Sequence, residues 1–172
     1  MVNESKKSNG LILAFFFTYI IANVILFFEI ISANPSLSTL LKESQLLLKI
    51  DSLRFSIFMV TIVVLLNTMI IIVTFLILKL CTQIILKKEF HHEKDLLVTL
   101  LLSSSLSAVT SLLLSEFFTI DYFILSFVTS TLEYVLFVFL YKTNVKNTRE
   151  IITVSGVKLV LLIVNIIFIF KV

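Results

Sequence analysis

Five long apolar segments constrain this chain more than any other feature of its sequence. They cover roughly residues 11–31, 55–79, 96–115, 122–141 and 151–170. Each is long enough to cross about 30 Å of hydrocarbon at about 1.5 Å per helical residue. Lipid offers no hydrogen-bond partners to backbone N–H and C=O groups, so each segment must satisfy its own as a helix. We therefore predict an all-α integral membrane bundle of about five transmembrane helices.

The composition agrees with a single membrane domain. Hydrophobic residues make up 59% and charged residues 15% of the 172 residues, whereas soluble domains use roughly 45–50% and about 25%. Five spans take up most of the length, so we expect one polytopic domain over residues 1–172. Its partner is the lipid bilayer, and no basic helix with interleaved aromatic residues points to nucleic acid.

The basic residues predict the orientation of the spans. If the N-terminus is cytoplasmic, ten of the fourteen Lys and Arg residues lie on the cytoplasmic side: Lys6, Lys7, Lys79, Lys87, Lys88, Lys94, Lys142, Lys146, Arg149 and Lys158. The outer side then holds Lys42, Lys49, Arg54 and Lys171. Because cytoplasmic loops carry an excess of basic residues, we predict that the N-terminus is inside and the C-terminus outside.

The first apolar segment has a competing interpretation as a secretory signal peptide. Lys6 and Lys7 precede it, and Ile31-Ser32-Ala33 resembles a cleavage site. Its apolar stretch of about 21 residues is longer than the roughly 7–15 residues usual for a signal peptide. We expect an uncleaved membrane anchor.

The segment after the first span predicts a short helix. Asn34 suits the N-cap position and Pro35 the first helical position. Leucines follow at mostly helical spacing: Leu37, Leu40, Leu41, Leu47 and Leu48. The pattern predicts an amphipathic helix that lies on the outer membrane surface or on the bundle.

The segment LKKEFHHEKD, between the second and third spans, holds both histidines. His91-His92-Glu93 could bind a metal, but it lacks the HExxH spacing that places two imidazoles on one helix face. A solvated cytoplasmic turn explains the same residues without a ligand. Cys81 follows no motif that connects it to His92, so an intramembrane enzyme is the least favoured class. We expect no metal site and no cofactor.

Glu133 stands in the middle of the fourth apolar segment, LSFVTSTLEYVLFVFLY. A turn near Glu116 to Asp121 makes spans three and four an antiparallel hairpin, which brings Glu133 to the depth of Ser103 and Ser104. Span three presents a row of serines at four-residue spacing: Ser103, Ser107, Ser111 and Ser115. Span four has a polar stripe three and four residues apart: Ser126, Thr129, Ser130 and Glu133. Small residues in such rows let helices approach closely, so we predict that Glu133 faces this seam.

Lys158 is a second candidate partner for Glu133. If span five begins near Ile151, both residues lie about 11–12 Å below the cytoplasmic boundary. Intramembrane charges generally face the bundle and pair. Asn67 and Asn165 also lie within spans and could join the network. If span five begins at Gly156 instead, Lys158 reaches the interface and Glu133 is left with hydroxyl partners.

Two roles for Glu133 remain open at the level of sequence. It could be a proton or cation site, because intramembrane carboxylates often mark transport pathways, or it could fasten helices together. Gly10, Gly156 and Pro35 lie outside the spans or at their ends, whereas transporters of the broken-helix type interrupt their spans. We therefore favour a non-enzymatic accessory protein that contacts other membrane subunits, and keep a transporter or channel subunit as the alternative.

The order of elements resembles the Yip-domain (Ypt-interacting protein) family of five-span membrane proteins. The resemblance is carried by LILKLCTQIILKKEFHHEKD, the Ser-rich span LLVTLLLSSSLSAVTSLLLS, a close hairpin, and YKTNVKNTREIITVSGVK before the last span. It implies a non-enzymatic membrane adaptor: bacterial relatives accompany ABC exporters, some protecting cells from membrane-active peptides, while eukaryotic relatives act in Golgi and ER trafficking with small GTPases. The frequent Ile, Phe, Lys and Asn indicate an AT-rich genome, and we expect a bacterial cytoplasmic membrane.

Overall fold

The computed structural model describes residues 2–117 and 122–171, and within these ranges it contains six helices and no strand. Five of the helices are long and apolar enough to cross a membrane, so the chain is an all-α polytopic membrane protein, as predicted. The helices are α1 (Val2–Ala33), α2 (Pro35–Leu48), α3 (Ser52–Leu86), α4 (Glu93–Phe117), α5 (Tyr122–Asn144) and α6 (Thr148–Lys171).

Each predicted apolar segment lies within one of the five long helices, but the helices extend further. The largest difference is in α3, whose 35 residues span about 52 Å, well beyond a hydrocarbon layer of about 30 Å. The last turns of α3 therefore leave the hydrocarbon, and there Lys79 Nζ lies 2.8 Å from Glu93 Oε1 of α4. The turn predicted between spans three and four, residues 118–121, lies outside the described residues.

The short amphipathic helix forms as predicted, as α2. The Asn34 side chain accepts hydrogen bonds from the backbone N–H groups of Ser36 and Leu37, and Pro35 begins the helix. Such an N-cap contributes about 1 kcal/mol to helix stability. At the other end Lys49 adopts a left-handed conformation with φ 51°, and its N–H bonds to Leu46 O. None of the α2 residues is buried, so its leucines are available to lipid headgroups and acyl chains.

The five long helices form a closed ring. Helix α4 packs against α1 and α5, α5 against α6, α6 against α3, and α3 against α1. Helix α4 is the most buried of the five, because its serines and alanine let α1 and α5 approach on two sides. The order around the ring differs from the order along the chain, since α1 neighbours α4 and α3 neighbours α6.

One end of the ring is filled by large apolar side chains. We call this set the apolar cluster; it comprises Leu78, Phe90, Leu96, Leu100, Phe137, Tyr141, Val145 and Val154. The rings of Phe137 and Tyr141 are stacked, with centroids 5.7 Å apart. Because Phe90 and Val145 belong to the segments joining α3 to α4 and α5 to α6, the cluster lies at the end of the bundle away from α2. We refer to these ends as the far end and the α2 end.

The two ends of the bundle allow a direct test of the predicted orientation. In a Cys81→Ser background, Ser44→Cys on α2 should react with a membrane-impermeant maleimide on intact cells. Asn147→Cys, an exposed position at the far end, should react only after the membrane is permeabilised, because the positive-inside tendency places it in the cytoplasm. The reverse labelling pattern would contradict the orientation.

Candidate functional site

Glu133 lies halfway along α5, eleven residues from Tyr122 and eleven from Asn144. At about 1.5 Å per residue it is about 16 Å from either end of the helix, so no route along α5 brings its carboxylate to the membrane surface. A charge at this depth costs about 2.5–3.5 kcal/mol on insertion scales unless it has partners. The neighbouring helices supply them.

An ion pair joins Glu133 to Lys158. Lys158 Nζ lies 2.7 Å from Glu133 Oε1, and the Ser104 hydroxyl donates to the same oxygen at 3.1 Å. The ammonium group also lies 5.7 Å from the centroid of the Phe137 ring, within the range of a cation–π interaction. One carboxylate oxygen thus connects α4, α5 and α6.

Helix α6 begins at Thr148, so Lys158 lies ten residues inside it. The alternative in which Glu133 is left with hydroxyl partners alone is wrong, because Lys158 pairs with it. Only 9% of the Lys158 surface is exposed, because the residue points towards α5 and the apolar cluster. An ammonium group held this deep requires an anion, and Glu133 provides it.

The other residues predicted for the polar network form separate contacts. Ser107 donates to the backbone oxygen of Thr129 at 2.7 Å, which is a second link between α4 and α5. Asn165 Nδ2 donates to Ser130 Oγ at 3.1 Å, a link between α6 and α5. Asn67 is placed elsewhere in the ring, where its Oδ1 accepts from the Tyr19 hydroxyl at 3.2 Å.

Ser103 does not reach Glu133. It is fully buried, and its hydroxyl donates to Leu100 O within its own helix at 3.1 Å. Ser103 lies at the predicted depth but does not contact Glu133, because Ser104 occupies the position beside the carboxylate. A hydroxyl bonded back along the helix removes a polar group from the seam and leaves a small surface for packing.

The prediction that the whole serine row faces α5 is wrong at its outer end. Ser115 donates to Glu29 Oε1 of α1. Ser105, which does not belong to the row, also bonds to α1, at Phe15 O 3.2 Å away. The reason is geometric: each four-residue step turns about 400° around a helix with 3.6 residues per turn. Three steps from Ser103 to Ser115 therefore rotate the row by about 120°, away from α5 and towards α1.

Sequence reasoning missed a polar cavity inside the ring. Its volume is about 180 Å³, and all five long helices contribute to its wall. The polar groups that it exposes include Tyr19, Asn23, Thr74, Ser111, Glu133 and Lys158. The sequence feature that could have indicated this cavity is the pair Tyr19 and Asn23, two polar side chains four residues apart on one face of an apolar helix. Their relation to Glu133 depends on the packing of α1 against α4, which is not visible in the sequence.

A second polar contact that the sequence did not indicate lies at the far end. The Tyr141 hydroxyl donates to Glu150 Oε1 at 2.8 Å, and both residues are buried. Glu150 belongs to the first turn of α6, where a carboxylate complements the positive end of the helix dipole. The contact fastens the segment between α5 and α6 to the apolar cluster.

The histidine segment forms a local contact. His92 Nδ1 lies 3.0 Å from Asp95 Oδ2, three residues further along the chain. Among the residues that the structure describes, no group of three or more His, Cys, Asp or Glu side chains is placed to hold a metal ion. The pair caps the start of α4, where His92 O accepts from the Leu96 N–H.

No protein-family model matches the chain, and neither a curated protein nor a solved structure matches it.

The ion pair should behave as a coupled unit in unfolding experiments. We expect Lys158→Met to lower the free energy of unfolding by about 3 kcal/mol, because the Glu133 carboxylate stays in the middle of the span with Ser104 as its one remaining donor. The double variant Glu133→Gln/Lys158→Met should be more stable than Lys158→Met, because it leaves no unpaired charge. Reversible unfolding in mixed micelles measures the free energy of unfolding of both variants, with Thr131→Val on α5 as the control.

Additivity would contradict this interpretation. The test also requires the single variant Glu133→Gln. If the double variant loses as much unfolding free energy as Lys158→Met and Glu133→Gln lose together, the two side chains do not interact energetically.

Proposed function

We propose that the chain is a non-enzymatic accessory subunit of a membrane complex and acts through helix contacts within the bilayer. The observation that carries this proposal is Asn165, an exposed carboxamide inside a span. In the isolated chain this amide faces the surroundings of the bundle rather than its interior. Polar side chains within spans almost always face protein, so a helix of another subunit is the expected neighbour.

The hydrogen-bonding capacity of Asn165 supports this assignment. One N–H of the amide donates to Ser130 Oγ; the second N–H and the oxygen have no partner within residues 10–117 and 123–168. Interhelical hydrogen bonds from such side chains stabilise helix association by about 0.6 kcal/mol on average and by up to about 1.7 kcal/mol. The flanking residues Ile163, Val164 and Ile167 are exposed and apolar, which is a suitable surface for a partner helix.

The surroundings of Glu133 favour a fastening role over a cation pathway. Lys158 neutralises the carboxylate at 2.7 Å, and Ser104 donates to the same oxygen. Because both of these bonds end at Oε1, a cation at that oxygen would have to displace an ammonium group that is itself buried. The five long helices are also continuous over their described lengths, in contrast to the interrupted helices of many secondary transporters.

The resemblance to Yip-domain proteins supports the class of partner. It points to a complex such as an ABC exporter, or to protection against membrane-active peptides, in a bacterial cytoplasmic membrane. Both settings place the partner within the same bilayer, which is where Asn165 lies.

The proposal predicts a partner whose retention depends on Asn165. Purification of the tagged chain in mild detergent should yield a membrane subunit in stoichiometric amount, and Asn165→Leu should remove it because the interhelical hydrogen bonds are lost. Thr131→Val is the matched control, since the Thr131 hydroxyl already bonds to Phe127 O within its own helix. Quantitative mass spectrometry measures the ratio of partner subunit to tagged chain in the eluates of the wild type, Asn165→Leu and Thr131→Val.

Two outcomes would overturn the proposal. Either the wild-type chain purifies alone, or Asn165→Leu retains the partner as well as Thr131→Val does. Proton or cation flux in liposomes that is lost in Glu133→Gln would support the transporter alternative instead.

A further inference from the structure

The cavity inside the ring is closed on one side and lies towards the α2 end. Leu100 forms part of its wall and also belongs to the apolar cluster. Lys158, at the same wall, contacts Phe137 of that cluster. From this level the cavity extends along α4 to Ser111 and along α1 to Leu26, both nearer the α2 end. The cavity therefore lies between the apolar cluster and the α2 end.

The polar groups around the cavity have unused hydrogen-bonding capacity. Glu133 accepts two bonds at Oε1 and none at Oε2, and Lys158 donates one of its three N–H groups. Ser111, 4% exposed, and Thr74 have no hydrogen-bond partner among the side chains and backbone groups that the structure describes. Unsatisfied polar groups away from water are costly. A polar molecule in the cavity would satisfy these groups.

The size of the cavity limits its occupant. A cavity of about 150 Å³ accommodates benzene, which has six heavy atoms. The 180 Å³ found here therefore suits a molecule of about six to eight heavy atoms, or several water molecules. A peptide or a nucleotide would extend well beyond this volume.

The charge of the cavity wall limits the occupant further. Glu133 and Lys158 are the acidic and basic residues in the wall, so the paired wall has no net charge. Each charge still has a free position, Oε2 on Glu133 and two N–H groups on Lys158. A molecule with one cationic and one anionic group a few bonds apart satisfies both positions without leaving a charge unpaired in the membrane.

We propose that this cavity binds a small zwitterion of the amino-acid class, with its carboxylate on Lys158 and its ammonium group on Glu133. Ser111 and Thr74 donate to or accept from the remaining polar atoms of the ligand. This inference is independent of the accessory role proposed above, because it requires only the chain itself.

Ligand stabilisation of the purified chain tests the proposal with L-alanine, which has six heavy atoms. At about a hundredfold excess over Kd, we expect the Tm to rise by about 5 °C and the rise to saturate. Three analogues no larger than alanine separate the charges: ethylamine carries the cation, propionate the anion, and lactamide neither. None of these should reproduce the shift, because each leaves at least one charge of the wall without its new partner.

A cavity-filling variant provides the specific control. Ser111→Leu places apolar atoms in the cavity and leaves the ion pair in place, so it should fold and lose the L-alanine shift. Thr110→Val alters the next residue, whose hydroxyl bonds to Leu106 O within α4, and should keep the shift.

Several outcomes would overturn the proposal. The absence of a saturable shift with L-alanine and L-serine would mean that the cavity holds water alone. An equal shift with ethylamine would identify a cation site. An equal shift in Ser111→Leu would place the binding elsewhere. Loss of the proposed partner subunit would affect none of these measurements, so the two proposals fail separately.

Discussion

The contact between Glu133 and Lys158 is the interaction on which the rest of the bundle depends. Neither charge can leave the hydrocarbon region, since Glu133 lies about 16 Å from either end of α5 and Lys158 is 9% exposed. Each group is therefore stable only when α5 and α6 are adjacent and in register. Ser104 adds α4 to the same contact. The pair thus selects both the neighbours and their vertical alignment, which apolar packing in lipid alone does not select.

Helix α4 joins α5 to α1 and so completes the ring of helices. Its serines contact α5 on one side, where Ser107 bonds to Thr129 O, and α1 on the other, where Ser105 bonds to Phe15 O. Small side chains with hydroxyls suit both tasks, because they permit close approach and offer a hydrogen bond across the interface. The same residues limit how completely the interior can be filled. Serine and threonine side chains face inwards at this level and fill less volume than larger residues would, and a cavity remains between the helices.

The bundle consequently has two different ends. The far end is filled by stacked Phe137 and Tyr141 and by aliphatic side chains around them, with the buried contact between Tyr141 and Glu150. The α2 end has an open polar interior and an amphipathic helix with no buried residue. The two ends therefore differ in how their interiors are filled. The proposed solute site, with Ser111 in its wall, lies in the polar interior, whereas the proposed partner contact at Asn165 lies on the outer surface.

The amino-acid sequence by itself determined the elements of this protein. The long apolar segments required helices because lipid satisfies no backbone group; Asn34 and Pro35 started α2, and the depth of Glu133 required a partner. The tertiary structure alone decided the order of the helices around the ring, and with it the approach of Tyr19 and Asn23 to the cavity and the turn of Ser115 towards Glu29. The physical reason is that the spacing of residues along the sequence determines which side chains share a face of one helix, but not which helix that face contacts. Contacts between α1 and α4, or between α3 and α6, depend on which apolar surfaces meet, and in lipid many such surfaces are equivalent.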